Sequence, residues 1–341
     1  MHLAPSEEQT AFLAGLRRMV DECGGRELVR AAMQRDDGIA TELWGALAEI
    51  GVFGLAVPEE RGGQGAGWVD CCLALEVLAG ALCEGPVLAH MLAIVLVDRH
   101  GDAQQRERWL PRWLNGDARA TVMFDAAGTS VPFAAGADAV VAISRGRWWV
   151  IPTETPGVVV EPVAVLDPSW RCADVVVERA AWDAGRHLAN ATLRSIEIGK
   201  DMMLTALACC QAGLARACLT LSTEYAVQRR QFGRQIGSFQ AVQHHCADMF
   251  VAVESARSIA WQAAWCCDNA QDELSVAAAT AAQWCGEASF KVAGTAIQIH
   301  GGIGFTWEHD CHLLFKRAEV LRRLLPGDIV RGSRLRRAAG L

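Results

Sequence analysis

Apolar residues recur at helical spacing through three long stretches in the second half of the chain. They predict helices over 201–228, 240–269 and 273–298, and the first of these holds no proline and a single glycine. Helices of about 25 residues or more are typical of up-down bundles, in which long helices share one core. The pattern therefore predicts a C-terminal four-helix bundle.

Shorter helices are predicted between residue 6 and about residue 115. Ser6 is typical of a helix N-cap, and Glu7 and Glu8 place acids in the first turn, where the helix dipole favours them. Further helices are predicted over 40–50, 69–82, 85–97 and 104–114. The N-terminal third is therefore expected to be helical throughout.

Residues 118–190 have a different pattern, with short β-rich runs broken by Gly and Pro. The runs cover 120–124, 137–143, 148–151, 158–165 and 173–177. The predicted fold is mainly α with a small β domain. Its domains are an N-terminal helical domain (1–117), a middle β domain (118–190) and a C-terminal helical bundle (191–341).

The composition is that of a globular protein, with 52% hydrophobic and 21% charged residues among 341. A net charge of -7 argues against nucleic acid as a partner. No run of about 18 apolar residues is evident, so no membrane span is predicted.

Thirteen cysteines raise the question of disulfides and metal sites. Six of them form adjacent pairs in apolar helical stretches, at 71–72, 209–210 and 266–267, and neighbouring helical residues point in different directions. No Cys-x-x-Cys spacing suggests zinc, and no metal site is predicted. With no signal peptide in view, reduced thiols and a cytoplasmic location are expected.

A glycine-rich segment follows the third long stretch, with Gly301, Gly302 and Gly304 ahead of Glu308. Glycine lets the backbone approach a bulky group, because no Cβ stands in the way. A dinucleotide fingerprint would follow a strand and open a helix, whereas a helical pattern precedes these glycines. At this point a ligand-binding loop and a simple helix stop with a tight turn both remain open.

A second motif, Arg229-Arg230-Gln231-Phe232-Gly233 with Gln240 downstream, separates the first two long helices. Together with the later Gln-x-x-Gly-Gly-x-Gly segment at 298–304 and the run at 47–63, it resembles the acyl-CoA dehydrogenase family. The resemblance covers nearly the whole chain and includes the helical, β, helical order. It implies an FAD flavoprotein in which the bundle of one subunit holds the ADP half of a cofactor whose flavin lies against another subunit.

The resemblance also assigns roles to individual residues. Arg229 would meet the pyrophosphate, a group that suits a planar guanidinium and bare backbone N–H donors. The other implied cofactor-binding residues are Gln231, Phe232, Gln240, Gln298, Gly301 and Gly302. Taken singly, Arg229 could be a solvated loop arginine, Phe232 interhelical core, and Gln240 a helix cap.

The family oxidises an acyl-CoA at Cα–Cβ, with a carboxylate removing the α-proton while hydride leaves for the flavin. Of the two family positions for this base, one falls in 324–328, which has no Glu at the matching place, and the other falls at Met203. Asp201 is the nearest acid, but two helical residues differ by about 200° in direction. This difference favours a helix-start acid or a CoA contact for Asp201, which is nevertheless the one catalytic candidate named here. Glu308 is expected to be structural or to support the site without being the base.

The middle domain also matches the family poorly. The segment 123–130 is a degenerate form of a flavin-contacting strand, and Trp148 and Trp149 are either an aromatic wall for the flavin or buried core. These departures resemble the degenerate subunits of heteromeric bacterial enzymes that act on steroid-derived CoA thioesters.

Three functions remain in contention. The chain is a catalytic FAD-dependent acyl-CoA dehydrogenase subunit, a non-catalytic subunit that completes a partner's FAD site, or a homo-oligomeric enzyme that uses Asp201. The expected partners are an acyl-CoA substrate, a second acyl-CoA dehydrogenase subunit or further copies of this chain, and electron-transfer flavoprotein.

Overall fold

The computed structural model describes residues 4–124, 127–324 and 335–336. The predicted cap at Ser6 is confirmed: its Oγ accepts a hydrogen bond from the Gln9 N–H at 3.1 Å, and Gln9 Oε1 accepts one from the Ser6 N–H at 2.9 Å. The N-terminal part comprises α1 (Glu7–Glu22), α2 (Gly25–Ala32), α3 (Thr41–Glu49), α4 (Trp68–Gly80), α5 (Gly85–His100) and α6 (Ala103–Leu114).

Helix α2 is absent from the sequence prediction. It starts at a pair of glycines, Gly24 as the N-cap and Gly25 as the first helical residue, and such a pair indicates a turn rather than a helix start. Both adopt positive φ, 105° and 53°, so the chain reverses sharply between α1 and α2. This short helix proves important, because it carries two arginines that hold the glycine-rich segment.

The middle part contains two small sheets, of strand order β1-β3-β4-β7 and β2-β6-β5. Strand β1 runs parallel to β3, and β3 joins β4 through Arg145 and Gly146, both at positive φ as a two-residue hairpin turn requires. The elements are β1 (Ala120–Met123), β2 (Val131–Pro132), β3 (Ala139–Ser144), β4 (Arg147–Pro152), β5 (Val158–Val163), β6 (Cys172–Val177), α7 (Arg179–Ala184) and β7 (Arg186–His187). The five predicted strands are present, whereas β2, α7 and β7 are too short to give a sequence signal.

The C-terminal part is the predicted bundle, in which a hairpin of β8 and β9 separates the first two helices. Its elements are α8 (Leu193–Gln228), β8 (Arg230–Gln231), β9 (Arg234–Gln235), α9 (Gln240–Asn269), α10 (Leu274–His300) and α11 (Cys311–Arg323). The chain is helical from about residue 193, as its pattern predicts, but the long helix predicted from residue 201 also starts there. The helix begins at Leu193, where Thr192 Oγ1 accepts a hydrogen bond from the Ser195 N–H at 3.1 Å. Charged residues in its first two turns obscure the apolar period.

A mainly α fold with a small β part in the middle is therefore confirmed. One apolar core runs through both helical parts, with Leu75 of α4 and Leu207 of α8 buried in it. A second cluster, which includes Ile151 and Trp182, joins both sheets and α7. The division into three domains at 117 and 190 stays a prediction.

Helix α8 corrects the expectation that no stretch is apolar enough for a membrane. An 18-residue window within it reaches a mean hydropathy of 1.5, which by length and composition would suffice for a span. However, 83% of that window is buried inside the protein. The apolar character of α8 is accounted for by its place at the centre of the bundle.

A buried ion cluster ties the three parts of the chain together. Arg317 of α11 donates to Glu84 Oε1 and to Asp167 Oδ2, each at 2.6 Å, and all three side chains are fully buried. Its remaining N–H groups reach Ser169 Oγ at 2.8 Å. Burial raises the pKa of Glu84, and the charge of Arg317 opposes that shift.

Candidate functional site

The two sequence motifs lie at the same end of the bundle. Helices α8 and α10 both end there and α9 begins there, because consecutive long helices alternate in direction. Tyr225, in the last turn of α8, stacks on His300, the last residue of α10, with ring centroids 4.4 Å apart. Arg229 and Gln298 therefore belong to one surface, although 69 residues separate them.

The Arg229 motif forms a β-hairpin that leaves the bundle. The Arg229 backbone closes it, with its N–H donating to Tyr225 O and its carbonyl accepting from Ile236 N–H, both at 2.8 Å. The tip residues Phe232 and Gly233 take positive φ of 51° and 81°, as a two-residue turn requires. The Arg229 side chain is exposed and forms no ion pair within the described residues.

Phe232 projects from the tip of this hairpin and is 91% exposed. The alternative that it belongs to an interhelical core is therefore wrong. Its ring neighbour is Phe239, at 6.1 Å between centroids. A phenylalanine this exposed suits a surface that another molecule covers, because leaving it in water costs hydrophobic free energy.

The glycine-rich segment offers open backbone beside the hairpin. Gly301 has φ 65° and ψ -143°, a conformation open to glycine alone, and a Cβ added at Gly301 or Gly302 would meet no atom within 4 Å. A Cβ added at Gly304, by contrast, would lie 3.3 Å from the Ile297 backbone. The segment is thus a helix stop, as one interpretation holds, and also an uncrowded stretch of backbone.

Gln231, Gln240 and Gln298 are all exposed at this end. Gln240 is the first residue of α9 and makes no capping bond, so its assignment as a helix cap is not supported. A guanidinium, amide side chains and bare glycine N–H groups form a donor set that fits a pyrophosphate. We call Arg229, Gln231, Phe232, Gln240, Gln298, Gly301 and Gly302 the cradle.

Two arginines that sequence reasoning missed hold the segment after the glycines. Arg26 and Arg30 of α2 both pair with Asp310, at 3.2 and 2.8 Å, and Arg30 also donates to Trp307 O at 2.7 Å. Burial alone would raise the pKa of Asp310, but the hydrogen bond from Arg30 and the charge of Arg26 hold it below its ordinary value. Arg26 and Arg30 are four residues apart and so lie on one helix face. This spacing is the sequence feature that could have indicated a shared role.

The end of the bundle is also unusually apolar for a surface. Besides Phe232, Ile303, Phe305 and Trp307 are exposed, Phe305 by 72%. Contiguous exposed apolar side chains of this size mark a surface that meets another protein or a ligand. The cradle and this apolar surface are continuous along the chain.

Asp201 lies far from the cradle. It is buried in α8, as is Met203, and its carbonyl accepts a hydrogen bond from Thr205 Oγ1 at 2.8 Å. From Met203 to Arg229 the helix rises about 39 Å, at 1.5 Å per residue. The cradle therefore cannot serve a flavin placed beside Met203 of the same chain, because the two halves of one dinucleotide lie much closer together.

Glu308 has the properties of a surface carboxylate. It is exposed, and hydrogen bonds from its own backbone N–H and from the Thr306 side chain hold its pKa below the ordinary value. A carboxylate that removes an α-proton is helped by the opposite shift, because a raised pKa makes it a stronger proton acceptor. The other base position, in 325–328, lies outside the described residues.

Both tryptophans of β4 are core residues. Trp148 is fully buried against α8, where its Nε1 donates to Ser195 O at 3.4 Å. Trp149 is covered by Trp182 and His187, at 5.9 and 5.5 Å between centroids. Neither presents an open aromatic face, which favours the core assignment over a flavin wall. In the degenerate segment 123–130, residues 125–126 lie outside the described residues.

Comparison with known proteins identifies the class of protein. The family model described as Acyl-CoA dehydrogenase, N-terminal domain matches residues 6–117, and that described as Acyl-CoA dehydrogenase, C-terminal domain matches residues 201–325. The chain therefore belongs to the acyl-CoA dehydrogenase family, FAD-dependent oxidoreductases that act on CH–CH groups.

Among curated proteins, the chain is 34% identical over 337 residues to acyl-CoA dehydrogenase IpdE2 of Mycobacterium tuberculosis, covering 96% of this chain and 97% of IpdE2. It is also 36% identical over 313 residues to acyl-CoA dehydrogenase FadE34 of the same organism, covering 88% of this chain and 42% of FadE34. The match to IpdE2 thus spans both proteins almost completely.

Two solved structures are similar over almost their entire length. One is the Tcur3481-Tcur3483 steroid ACAD G363A variant, with a TM-score of 0.87, 27% identity and coverage of 98% of this chain and 99% of that chain. The other is the ChsE4-ChsE5 complex from Mycobacterium tuberculosis, with a TM-score of 0.85, 26% identity and coverage of 99% and 98%.

Proposed function

We propose that this chain is one subunit of a hetero-oligomeric acyl-CoA dehydrogenase that introduces a Cα–Cβ double bond into a steroid-derived CoA thioester. The observation that carries the proposal is the separation of about 39 Å along α8 between Arg229 and Met203, with the cradle at an exposed apolar end. A cradle in that place can complete a cofactor site only with another subunit.

The similar structures support the hetero-oligomer and the substrate class. One is titled as a complex of two proteins, ChsE4 and ChsE5, and the other as a steroid ACAD. The identity of the acyl group is the most specific part of this proposal.

The cradle residues have separate tasks. Arg229 neutralises the pyrophosphate, the Gly301 and Gly302 N–H groups donate to it, and Phe232 excludes water from the adenosine side. FAD, when bound, supplies the acceptor for the hydride that leaves Cβ. The amides of Gln240 and Gln298 orient the cofactor from the start of α9 and the end of α10.

We assign the base to the partner subunit. Met203 occupies one family position for it, and Glu308 is an ionised surface group. One observation favours a second candidate function, in which this chain is catalytic: Asp201 is a buried carboxylate on α8 within two residues of Met203.

Electrons would pass to electron-transfer flavoprotein. The thirteen free cysteines fit a reducing compartment, and we propose the cytoplasm.

Expression of the chain alone, and together with the acyl-CoA dehydrogenase encoded beside it, tests the proposal. The proposal predicts a colourless chain that becomes yellow and reduces an electron-acceptor dye only in the complex, with a steroid-CoA thioester preferred over butyryl-CoA. Full flavin content and dye reduction by the chain alone would contradict it. If the active complex preferred a straight-chain acyl-CoA, only the assignment of a steroid-derived substrate would be wrong.

A further inference from the structure

Three potential metal ligands meet at the corner between α10 and α11. His300, His309 and Cys311 each offer one ligand atom, and these atoms lie within 4.8 Å of one another. His300 and Cys311 are buried and His309 is half-buried, so the cluster opens toward solvent on one side. The spacing His-x8-His-x-Cys is no established zinc signature, and it is the fold that brings the three side chains together.

The Nδ1 atoms of both histidines lie at the cluster, and each is engaged in a hydrogen bond. His300 Nδ1 lies 2.8 Å from Ala296 O and 3.4 Å from Cys311 Sγ, and because a carbonyl only accepts, Nδ1 carries the proton. To bind an ion beside Cys311, Nδ1 has to give up this bond, with its proton moving to Nε2. His309 Nδ1 accepts from the Cys311 N–H at 3.2 Å, so its lone pair becomes available when an ion displaces that bond.

Packing holds the cluster in position. The ring of Tyr225 stacks on His300, and His309 lies 4.5 Å from His300 between centroids. Cys311 Sγ is 3.4 Å from His300 Nδ1. The two nearby arginines, Arg26 and Arg30, are paired with Asp310, which reduces their repulsion of a cation.

We propose that His300, His309 and Cys311 form a binding site for one zinc-class divalent ion. Two imidazoles and a thiolate are the ligand set that zinc and cobalt(II) prefer, and three protein ligands leave a fourth position for water. On binding, the Cys311 thiol releases its proton to solvent and the His300 proton moves from Nδ1 to Nε2. The ion replaces the bond of His300 Nδ1 to Ala296 O and the contact of His309 Nδ1 with the Cys311 N–H. The ion would stabilise the corner between α10 and α11, which includes Gly301 and Gly302.

The proposal is independent of the hetero-oligomer and of the catalytic assignment. The alternative is that the three side chains are only packed together, as aromatic and thiol groups often are in a protein corner. Metal binding gives a spectroscopic signal that packing does not, and that signal does not require FAD or activity.

Titration of the chelator-treated full-length chain with cobalt(II) tests the site. We expect one cobalt per copy of this chain, visible bands of tetrahedral cobalt, and a near-ultraviolet thiolate-to-cobalt band. C311S should abolish the thiolate band, and H309A should weaken cobalt binding by more than about tenfold. C246S, which removes a half-buried thiol on α9, serves as the matched control and should bind as the wild type does.

His309 is half-buried, so H309A is expected to fold even if C311S does not. Cobalt binding at less than one ion per chain, a thiolate band that persists in C311S, or unchanged affinity in H309A would each overturn the proposal.

Discussion

Tyr225 stacks on His300 with ring centroids 4.4 Å apart and only 25° between the ring planes. This contact joins the last turn of α8 to the last residue of α10. It brings the Arg229 hairpin beside the glycine-rich segment and makes one surface from two motifs. The two motifs that resemble the family therefore lie together, at the exposed and apolar end of the bundle.

Replacing Arg229 should weaken cofactor retention without unfolding the bundle. Loss of a hydrogen bond to a charged group costs about 1.5–3 kcal/mol, so R229Q should raise the FAD dissociation constant by about 10- to 100-fold. Flavin absorbance of the co-expressed complex after gel filtration measures this. R194Q, an exposed arginine in the first turn of α8, is the matched control. Equal flavin content in both variants would place the pyrophosphate elsewhere.

Gly302 allows a test that separates ligand contact from backbone strain. A Cβ there meets no atom within 4 Å, so G302V should keep the melting temperature of the wild type. Its side chain would nevertheless occupy the space proposed for the pyrophosphate, and bound flavin should fall by at least about tenfold. G304V should instead lower the melting temperature, because its Cβ meets the Ile297 backbone at 3.3 Å. Retained flavin in G302V would argue against the cradle.

The buried Arg317 cluster should contribute strongly to stability. R317Q leaves the carboxylates of Glu84 and Asp167 buried without their partner, which should cost about 3–5 kcal/mol of unfolding free energy. R145Q breaks an exposed pair with Asp183 and should cost less than about 1 kcal/mol. Urea unfolding of the two variants makes the comparison. Similar losses of unfolding free energy in both variants would show that the Arg317 cluster stabilises the fold no more than an exposed ion pair does.

His90 should make the fold sensitive to mild acid. Burial lowers its pKa to about 4, whereas an unfolded histidine titrates near 6.5. Between these values the unfolded state binds more protons, so stability is full above pH 6.5 and falls as the pH approaches 4. From pH 6.5 to 5 the loss attributable to His90 should be about 2 kcal/mol.

Urea unfolding of wild type, H90Q and H245Q across this range isolates the effect. H90Q should be less stable at pH 7, since His90 bridges Trp113 O and the Ala120 N–H, but should lack this component of the pH slope. H245Q, at an exposed position, should retain the wild-type slope. An H90Q slope equal to that of wild type would assign the acid sensitivity to other groups.

The sequence predicted the long helices well because their apolar residues repeat over many turns. It failed at α2 and at the first two turns of α8, where glycines or charged residues interrupt the period. The cradle could be found from its motifs, since glycine and arginine are needed there for their own chemistry. The contacts that bring the motifs together could not: Tyr225 with His300, and Arg26 and Arg30 with Asp310, join segments far apart in the chain. The burial of Trp149 likewise depends on α7, a helix without a sequence signal.

The location of the catalytic base is the most direct test of the account. In the flavin-loaded complex, D201N in this chain should leave kcat/KM for the steroid-CoA thioester within about twofold of wild type. The flavin spectrum of the complex should be unchanged, which checks that the site is intact. If Asp201 were the base, its loss should lower the rate by about 100-fold or more. Such a loss with full flavin content would contradict the assignment of the base to the partner subunit.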